Sequence, residues 1–153
     1  MRRLEHRVPP PLVALLIAIA MGAAAFVVAP LAAPRVWRIG VAALLVAAGL
    51  ACAVAGVLAF RRAGANLDPH RIDNGEVLVT EGAFRYTRNP MYLGIALVLL
   101  GYAVYLIRSV DFLGPLAFVA YITRFQILPE ERAMARKFGA RYAAYARAVR
   151  RWI

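Results

Sequence analysis

Residues 39–60 read IGVAALLVAAGLACAVAGVLAF, a run without a single charged side chain. Crossing the hydrocarbon layer of a bilayer as a helix takes about 20 mostly apolar residues. This run is long enough, and the stretch of residues 8–34 is also uncharged. We therefore interpret both stretches as membrane-crossing helices, the first two spans of the chain.

Two further runs extend this pattern. Residues 89–107 are uncharged, and residues 112–129 are interrupted only by Arg124. The sequence therefore predicts an all-α integral membrane protein with about four transmembrane helices. We expect one membrane domain over residues 1–153, in which residues 1–60 form two N-terminal helices and residues 61–153 a core with two more. A composition that is 63% hydrophobic agrees with this class.

The basic residues are distributed unevenly between the ends of the predicted helices. Cytoplasmic flanks of membrane proteins carry the excess of Arg and Lys. With the N-terminus inside, all of the 19 basic residues except Arg35, Arg38 and Arg108 fall on the cytoplasmic side. We therefore expect a multi-pass protein whose N- and C-termini are both cytoplasmic. The net charge of +11 is interpreted as this topology signal, not as nucleic-acid binding.

The N-terminal region also allows a different interpretation. Basic residues 1–7 followed by the alanines at 23–25 are compatible with a secretory signal peptide. The apolar stretch is longer than the about 7–15 residues usual in such a peptide, so we favour a retained span. The single Cys52 lies in an apolar run and has no partner for a disulfide or a cysteine zinc site, and we predict no metal.

The longest polar segment, residues 61–89, separates the second and third predicted spans. A flexible linker is poor in aliphatic and aromatic residues. This segment contains several, which are Val77, Leu78, Val79, Phe84 and Tyr86. We therefore expect an ordered cytoplasmic loop with at most a short extended segment. The alternative is that these side chains only cover the ends of the helices.

Arg88-Asn89-Pro90-Met91-Tyr92 opens the third predicted helix. Pro suits a first helical turn because its missing N–H would be unpaired there, and Asn is a good N-cap. The pattern therefore predicts a helix that begins at Pro90 and is capped by Asn89. The free N–H groups of such a helix start can receive an anionic or carbonyl group.

Pro129-Glu130-Glu131 predicts another helix start, with two carboxylates in the first turn, where the helix dipole favours them. After it, apolar residues recur at spacings of three and four, as on one helical face. These residues are Met134, Phe138, Tyr142, Tyr145, Val149 and Trp152. The opposite face is basic, which is typical of an amphipathic helix on an anionic membrane surface. Gly139 is expected to bend or break this C-terminal helix.

The order of three blocks resembles a known superfamily. The blocks are Val77-Leu78-Val79-Thr80-x-Gly82-x-Phe84, then Arg88-Asn89-Pro90-Met91-Tyr92, then Glu130-Glu131 followed by Phe138-Gly139-x-x-Tyr142-x-x-Tyr145. Together they are similar to the isoprenylcysteine carboxyl methyltransferase and phospholipid methyltransferase superfamily over residues 61–152. The resemblance implies a small integral membrane enzyme that transfers a methyl group from S-adenosylmethionine to a lipophilic acceptor.

The resemblance also implies a cofactor site. The residues that should surround S-adenosylmethionine are Glu76, Val77, Leu78, Val79, Phe84, Asn89, Pro90, Met91, Tyr92 and Glu130. Glu130 would hold the cofactor's amino group, and aliphatic and aromatic side chains would pack on its adenine. Arg88 suits the cofactor's carboxylate and is also a candidate for orienting the acceptor. No general base is assigned.

Arg124 is the second candidate for orienting the acceptor, because an ionisable group inside a span is by default a functional hypothesis. Its alternative role is to extend its charge to the nearby interface. The sequence departs from the prenyl-cysteine branch, which has His at the positions of Glu76 and Asn89 and Tyr at that of Phe84. The acceptor group therefore stays open between a carboxylate, an amine and a thiol.

A non-enzymatic role is the competing hypothesis. The chain would then be a small membrane scaffold whose basic C-terminal helix binds lipid. Small residues at four-residue spacing, Gly49 with Ala53 and Cys52 with Gly56, are typical of close helix packing. Such packing could occur within the chain or between two copies in a homo-oligomer.

Overall fold

Helices account for all the regular secondary structure in the computed structural model of the chain, which describes residues 8–64 and 77–153. No β-strand occurs in those two ranges. The α-helices are α1 Pro10–Ala23, α2 Arg35–Arg62, α3 Pro90–Leu106, α4 Leu113–Ile122, α5 Leu128–Phe138 and α6 Ala140–Ala148. Short 3-10 turns occupy Ala24–Phe26, Gly82–Arg85 and Ser109–Phe112, and a π-helical turn occupies Thr123–Ile127. The predicted all-α class is confirmed for the described residues.

Two stretches of helix have the length and composition of membrane spans, Arg35–Arg62 with 28 residues and Ser109–Phe138 with 30 residues. Two shorter apolar helices, Pro10–Phe26 and Pro90–Leu106, lie in the other two predicted segments. The first predicted span is shorter than expected, because helical structure ends at Phe26 and does not reach residue 34. Pro30 and Pro34 follow, and their fixed backbone and missing N–H disfavour a continued helix.

The second long helix corrects a prediction from the sequence. Pro129-Glu130-Glu131 does not begin a new helix, because α4, the π turn and α5 are continuous from Ser109 to Phe138. In the π turn the N–H of Leu128 donates to the carbonyl of Thr123, five residues earlier. Pro129 offers no N–H to the preceding turn, and the wider π turn accommodates its ring. The two glutamates therefore lie inside a long helix, one turn after a local widening.

Close packing of small residues joins α2 to α3. A Cβ added to Gly49 would lie 2.6 Å from the carbonyl oxygen of Gly94, and one added to Gly101 would lie 2.9 Å from that of Ala42. Nearer the end of α2, Gly56 faces the ring of Pro90, and the thiol of Cys52 contacts the Pro90 carbonyl oxygen at 3.3 Å. The small residues predicted to pack helices therefore do so within the chain.

A second face of α3 contributes to the apolar core with α1 and the long helix. The buried members of this core are Val13, Met21, Ala96, Leu99, Ala103, Phe118, Ile122 and Ile127. Helix α3 thus lies in the middle, with α2 on one side and α1 and α4 on the other. This central position fixes the N-terminal turn of α3 beside both α2 and α5.

The outward surfaces of α1 and α2 are apolar. Exposed side chains there include Leu15, Leu16, Ile19, Leu44, Leu50 and Val54. Soluble monomers rarely expose a continuous apolar surface of this kind, whereas a helix in lipid requires one. The exposure therefore agrees with the hydropathy of the spans.

A buried ionic turn closes the end of the molecule where α3 meets α4. Ile107 adopts a left-handed conformation with φ of 53°. The Arg108 Nε donates to the carbonyl of Val28 at 2.8 Å, and its guanidinium lies 3.5 Å from the buried carboxylate of Asp111. Arg108 therefore links the chain after α1 to the α3–α4 turn.

Candidate functional site

Glu130 lies where the first turn of α3 meets the start of α5. The Tyr92 hydroxyl donates to its Oε1 at 2.8 Å, and the Gln126 side-chain amide donates to the same oxygen at 2.8 Å. Gln126 precedes Glu130 by four residues, which places both on one helical face. Within the described residues Oε2 accepts no hydrogen bond. The structure thus brings together Tyr92 and Glu130, two of the predicted site residues, and adds Gln126.

Neutral donors on one oxygen leave this carboxylate able to bind a cation. The Tyr92 hydroxyl and the Gln126 amide fix its position but bring no positive charge of their own. A cationic group that reached Oε2 would form a charge-assisted hydrogen bond, which is about twice as strong as a neutral one. The arrangement around Glu130 is therefore compatible with the binding of a positively charged group.

Glu131 has a different role from its neighbour. Its Oε1 lies 3.1 Å from the Arg88 guanidinium, and both of its oxygens accept hydrogen bonds from Arg151, at 2.9 and 2.8 Å. The carboxylate of Glu131 raises the pKa of Arg151. This half-buried bridge joins the approach to α3, the long helix and the C-terminal residues. The sequence pattern predicted no separate role for Glu131 beyond its membership of the acidic pair.

The last residues of the chain fold back over the start of α3, and we call residues 150–153 the C-terminal strap. The backbone N–H of Arg88 donates to the carbonyl of Arg150 at 3.0 Å. The carbonyl of Arg151 accepts bonds from the Thr87 hydroxyl at 3.2 Å and the Asn89 amide at 2.9 Å. The Trp152 indole donates to the Thr123 hydroxyl at 3.2 Å. The strap therefore closes one side of the Glu130 region.

The strap changes the predicted role of Asn89. Helix α3 begins at Pro90, as predicted, but the side chain of Asn89 does not cap it. The amide donates to the Arg151 carbonyl instead, while the backbone N–H of Asn89 donates to the Thr87 hydroxyl at 3.2 Å. The Asn89 side chain thus bonds to the distant Arg151 carbonyl and not to the N–H groups of the first turn of α3. The capping prediction is therefore wrong.

The predicted C-terminal helix is also different in form. It breaks at Gly139, where φ is 50° and ψ is −122°, a conformation that favours glycine. The following helix α6 ends at Ala148, and Trp152 belongs to the strap. The predicted break at Gly139 is confirmed, whereas one helix reaching Trp152 is wrong because the strap bonds to Arg88 and Asn89.

Two tyrosines of α6 face inward. The Tyr145 hydroxyl donates to the carbonyl of Phe84 at 2.8 Å, and the Tyr142 hydroxyl accepts a bond from Arg88 at 3.3 Å. Burial raises the pKa of Tyr145 to about 12, against the opposing effect of Arg88. Tyr145 therefore keeps its proton at neutral pH and holds the segment that carries Phe84.

The loop before α3 supplies apolar side chains. Phe84 is buried and meets the ring of Phe60 edge-on, with centroids 5.2 Å apart. Val79 is buried, Leu78 is partly buried and Val77 is exposed. Residues 77–80 have no regular secondary structure. The predicted cofactor residue Glu76 lies outside the described residues.

The remaining predicted residues take separate positions. Met91 and Pro90 pack against Gly56 of α2. Arg124 is exposed, and its guanidinium carbon lies 5.7 Å from the centroid of the neighbouring Phe125 ring. Arg88 is held by Glu131 and Tyr142, but its buried Nε has no hydrogen-bond partner in the described part of the chain.

The described residues thus form a helical bundle that contains two helices of membrane-span length and a partly buried carboxylate at one end. Residues 37–141 match the phospholipid methyltransferase family, and the chain belongs to that family. This match covers the Tyr92–Glu130 contact and confirms the superfamily predicted from the three sequence blocks.

The chain is also similar to a short bacterial protein. An uncharacterized protein of Haemophilus influenzae is 41% identical over 63 residues, which is 41% of this chain and 100% of that protein. No solved structure matches the chain significantly. Family membership thus supports a methyltransferase in general terms.

Proposed function

We propose that this protein transfers a methyl group from S-adenosylmethionine to a lipophilic or membrane-associated acceptor. The observation that carries the proposal is the Glu130 carboxylate, held by Tyr92 and Gln126 inside the segment that matches the phospholipid methyltransferase family. Family membership supports methyl transfer, and the available Oε2 supports the binding of a cationic group.

The residues of this region fit the chemical groups of S-adenosylmethionine. Glu130 would pair with the amino group of the cofactor, and Phe84, Val79 and Leu78 offer apolar surface for its adenine. The cofactor's carboxylate suits Arg88, whose buried Nε lacks a partner among the described residues. When bound, S-adenosylmethionine supplies an electrophilic methyl group on a sulfonium. The residues of the chain bind and orient the reactants, which can supply a large part of the acceleration.

The location of the site favours an acceptor that enters from the membrane. Glu130 lies within the long apolar helix Ser109–Phe138, near its polar end. The acceptor group is a carboxylate, an amine or a thiol, and Arg124 and Arg88 are our candidates for orienting it. Arg124 is exposed at this end of the helix, within reach of a membrane surface.

The proposed topology has four spans with both termini in the cytoplasm. Arg61 and Arg62 end α2 on the side of the Glu130 site, and Arg85 and Arg88 lie on the same side. The opposite end of the bundle has Arg35, Arg38 and Arg108. This bias supports a cytoplasmic site, where a water-soluble cofactor has access.

Calorimetric titration of the detergent-purified protein with S-adenosylmethionine and S-adenosylhomocysteine tests the proposal. We expect micromolar binding that Glu130→Gln weakens about tenfold or more, because a hydrogen bond to a charged group contributes about 1.5–3 kcal/mol. Glu81→Gln is the matched control, since Glu81 is exposed. Absence of binding to wild-type protein that is shown to be folded would overturn the proposal.

The same titration, together with a vesicle-binding assay, distinguishes the methyltransferase from the competing membrane scaffold. The exposure of Arg136, Arg141 and Arg147 on α5 and α6 supports lipid binding by the C-terminal helices. A scaffold would bind anionic vesicles and neither cofactor, and Glu130→Gln would leave its vesicle binding intact. The small residues of α2 give it no support, because they pack within the chain.

A further inference from the structure

A cleft lies at the end of α2 that is far from Glu130. It has a volume of about 340 Å³ and is lined by Arg35, Arg38, Ile39 and Tyr105. Arg35 begins α2, whereas Gly56 of the same helix packs beside Pro90 at the candidate site. Because an α-helix rises about 1.5 Å per residue, the two ends are about 30 Å apart. The cleft therefore lies at the opposite membrane surface from the proposed methyl-transfer site.

Arg38 is held in place by the end of α3. Its Nε donates to the carbonyl of Tyr105 at 3.2 Å, and its Nη2 bonds to the same oxygen. The last carbonyls of a helix lack partners within the helix, so this contact satisfies one of them. A guanidinium has five N–H donors in a fixed fork. Arg38 is therefore oriented and still has donors for a ligand.

Arg35 lies one turn before Arg38 and lines the same cleft. Its side chain makes no hydrogen bond or ion pair among the described residues. The acid at this end of the described structure is Asp111, whose side chain is fully buried and paired with Arg108. The charges of Arg35 and Arg38 therefore have no carboxylate partner there, and the cleft favours an anion.

The surroundings of the cleft are apolar and aromatic. Ile39 lines it and is 46% exposed, and the neighbouring Trp37 is 72% exposed. Trp and Tyr are enriched at the level of lipid headgroups. Because α2 has the length and composition of a span, its first turn lies at that level, with apolar surface beginning directly beside the two arginines.

We propose that this cleft binds the phosphate of an anionic phospholipid. Arginine matches phosphate through paired N–H donors, and two arginines one turn apart can share one phosphate group. The acyl chains would lie along Ile39 and the exposed apolar face of α2. This lipid is a bound neighbour at the opposite surface and is separate from the methyl acceptor.

Native mass spectrometry of the detergent-solubilised protein titrated with phosphatidylglycerol tests the proposal. We expect one lipid to bind with an affinity that falls about fivefold or more in Arg35→Gln and further in the double variant with Arg38→Gln. The control removes the same charge at the other end of α2, through Arg61→Gln with Arg62→Gln, and should retain the lipid. Arg35→Gln alone leaves the Arg38–Tyr105 contact intact, so its result does not depend on that contact.

Two results would overturn the proposal. The first is that lipid binding changes to the same extent, or not at all, in the variants at both ends of α2. Lipid binding would then be independent of the cleft. The second is displacement of the lipid by glycerol 3-phosphate at similar concentration, which would assign the cleft to a soluble phosphate compound. If glycerol 3-phosphate does not displace the lipid, the result supports a site that binds both the headgroup and the acyl chains.

Discussion

At the residue scale, the adjacent carboxylates of Glu130 and Glu131 have different partners. Glu130 faces Tyr92 and Gln126, whereas Glu131 faces Arg88 and Arg151. Neutral donors hold the first, and two guanidinium groups pair with the second. We therefore propose that Glu130 serves binding and that Glu131 serves stability.

Glu131→Gln is expected to destabilise the fold. Removing the charge leaves Arg88 and Arg151 without their shared partner, at a cost of about 1–3 kcal/mol, because the bridge is partly exposed and only partly desolvated. Thermal unfolding followed by circular dichroism in detergent measures this as a lower Tm. Glu81→Gln should leave the Tm unchanged. A Tm of Glu131→Gln equal to that of wild type would show that the bridge contributes nothing to stability.

Tyr92→Phe should weaken cofactor binding without unfolding the protein. The change removes one of the two donors that orient Glu130, and we expect a loss of about three- to tenfold in affinity for S-adenosylhomocysteine. Calorimetric titration provides the value, with Tyr86→Phe as the control because Tyr86 is 80% exposed. Equal affinities of the Tyr92 and Tyr86 variants for S-adenosylhomocysteine would show that Tyr92 does not contribute to the cofactor site.

At the scale of helices, glycines bring the backbones of α2 and α3 into close contact. A side chain on Gly49 would meet the backbone of Gly94, which cannot move without shifting α3. Since α3 also carries Tyr92, the spacing of these two helices positions one wall of the site.

Gly49→Ala is therefore expected to lower the Tm, at a cost of about 1–3 kcal/mol for overpacking. Gly40→Ala is the matched control on the same helix, because nothing lies within 4 Å of a Cβ there. Helix propensity alone would make both changes slightly favourable. If both variants unfold at the same temperature, the close contact between α2 and α3 is not maintained in the membrane protein.

Some elements were predictable from local sequence and others were not. The start of α3 at Pro90 and the break at Gly139 follow from the backbone chemistry of proline and glycine. The continuous helix through Pro129 does not, because the π turn that accepts the proline depends on its packing. The bond from Asn89 to Arg151 joins residues 62 positions apart, and no local pattern shows it. Tyr92 and Glu130 were found through the family resemblance, whereas Gln126 carried no such signal.

At the scale of the whole molecule, the basic residues and the apolar surface predict an orientation in the membrane. In a Cys52→Ala background, Ser109→Cys should react from outside intact cells with a membrane-impermeant maleimide, and Ala140→Cys should react only after lysis. Both positions are exposed, and they lie at opposite ends of the long helix Ser109–Phe138. The reverse labelling pattern would invert the proposed topology and place the Glu130 site outside.

Methyl transfer itself tests the central claim most directly. The protein in its native membranes would be incubated with S-adenosylmethionine carrying a radioactive methyl group, and the organic-phase extract would be counted. We predict label in this extract from membranes with wild-type protein or Glu81→Gln, and a loss of most of it with Glu130→Gln. Equal label from wild type, Glu130→Gln and membranes without the protein would contradict the account.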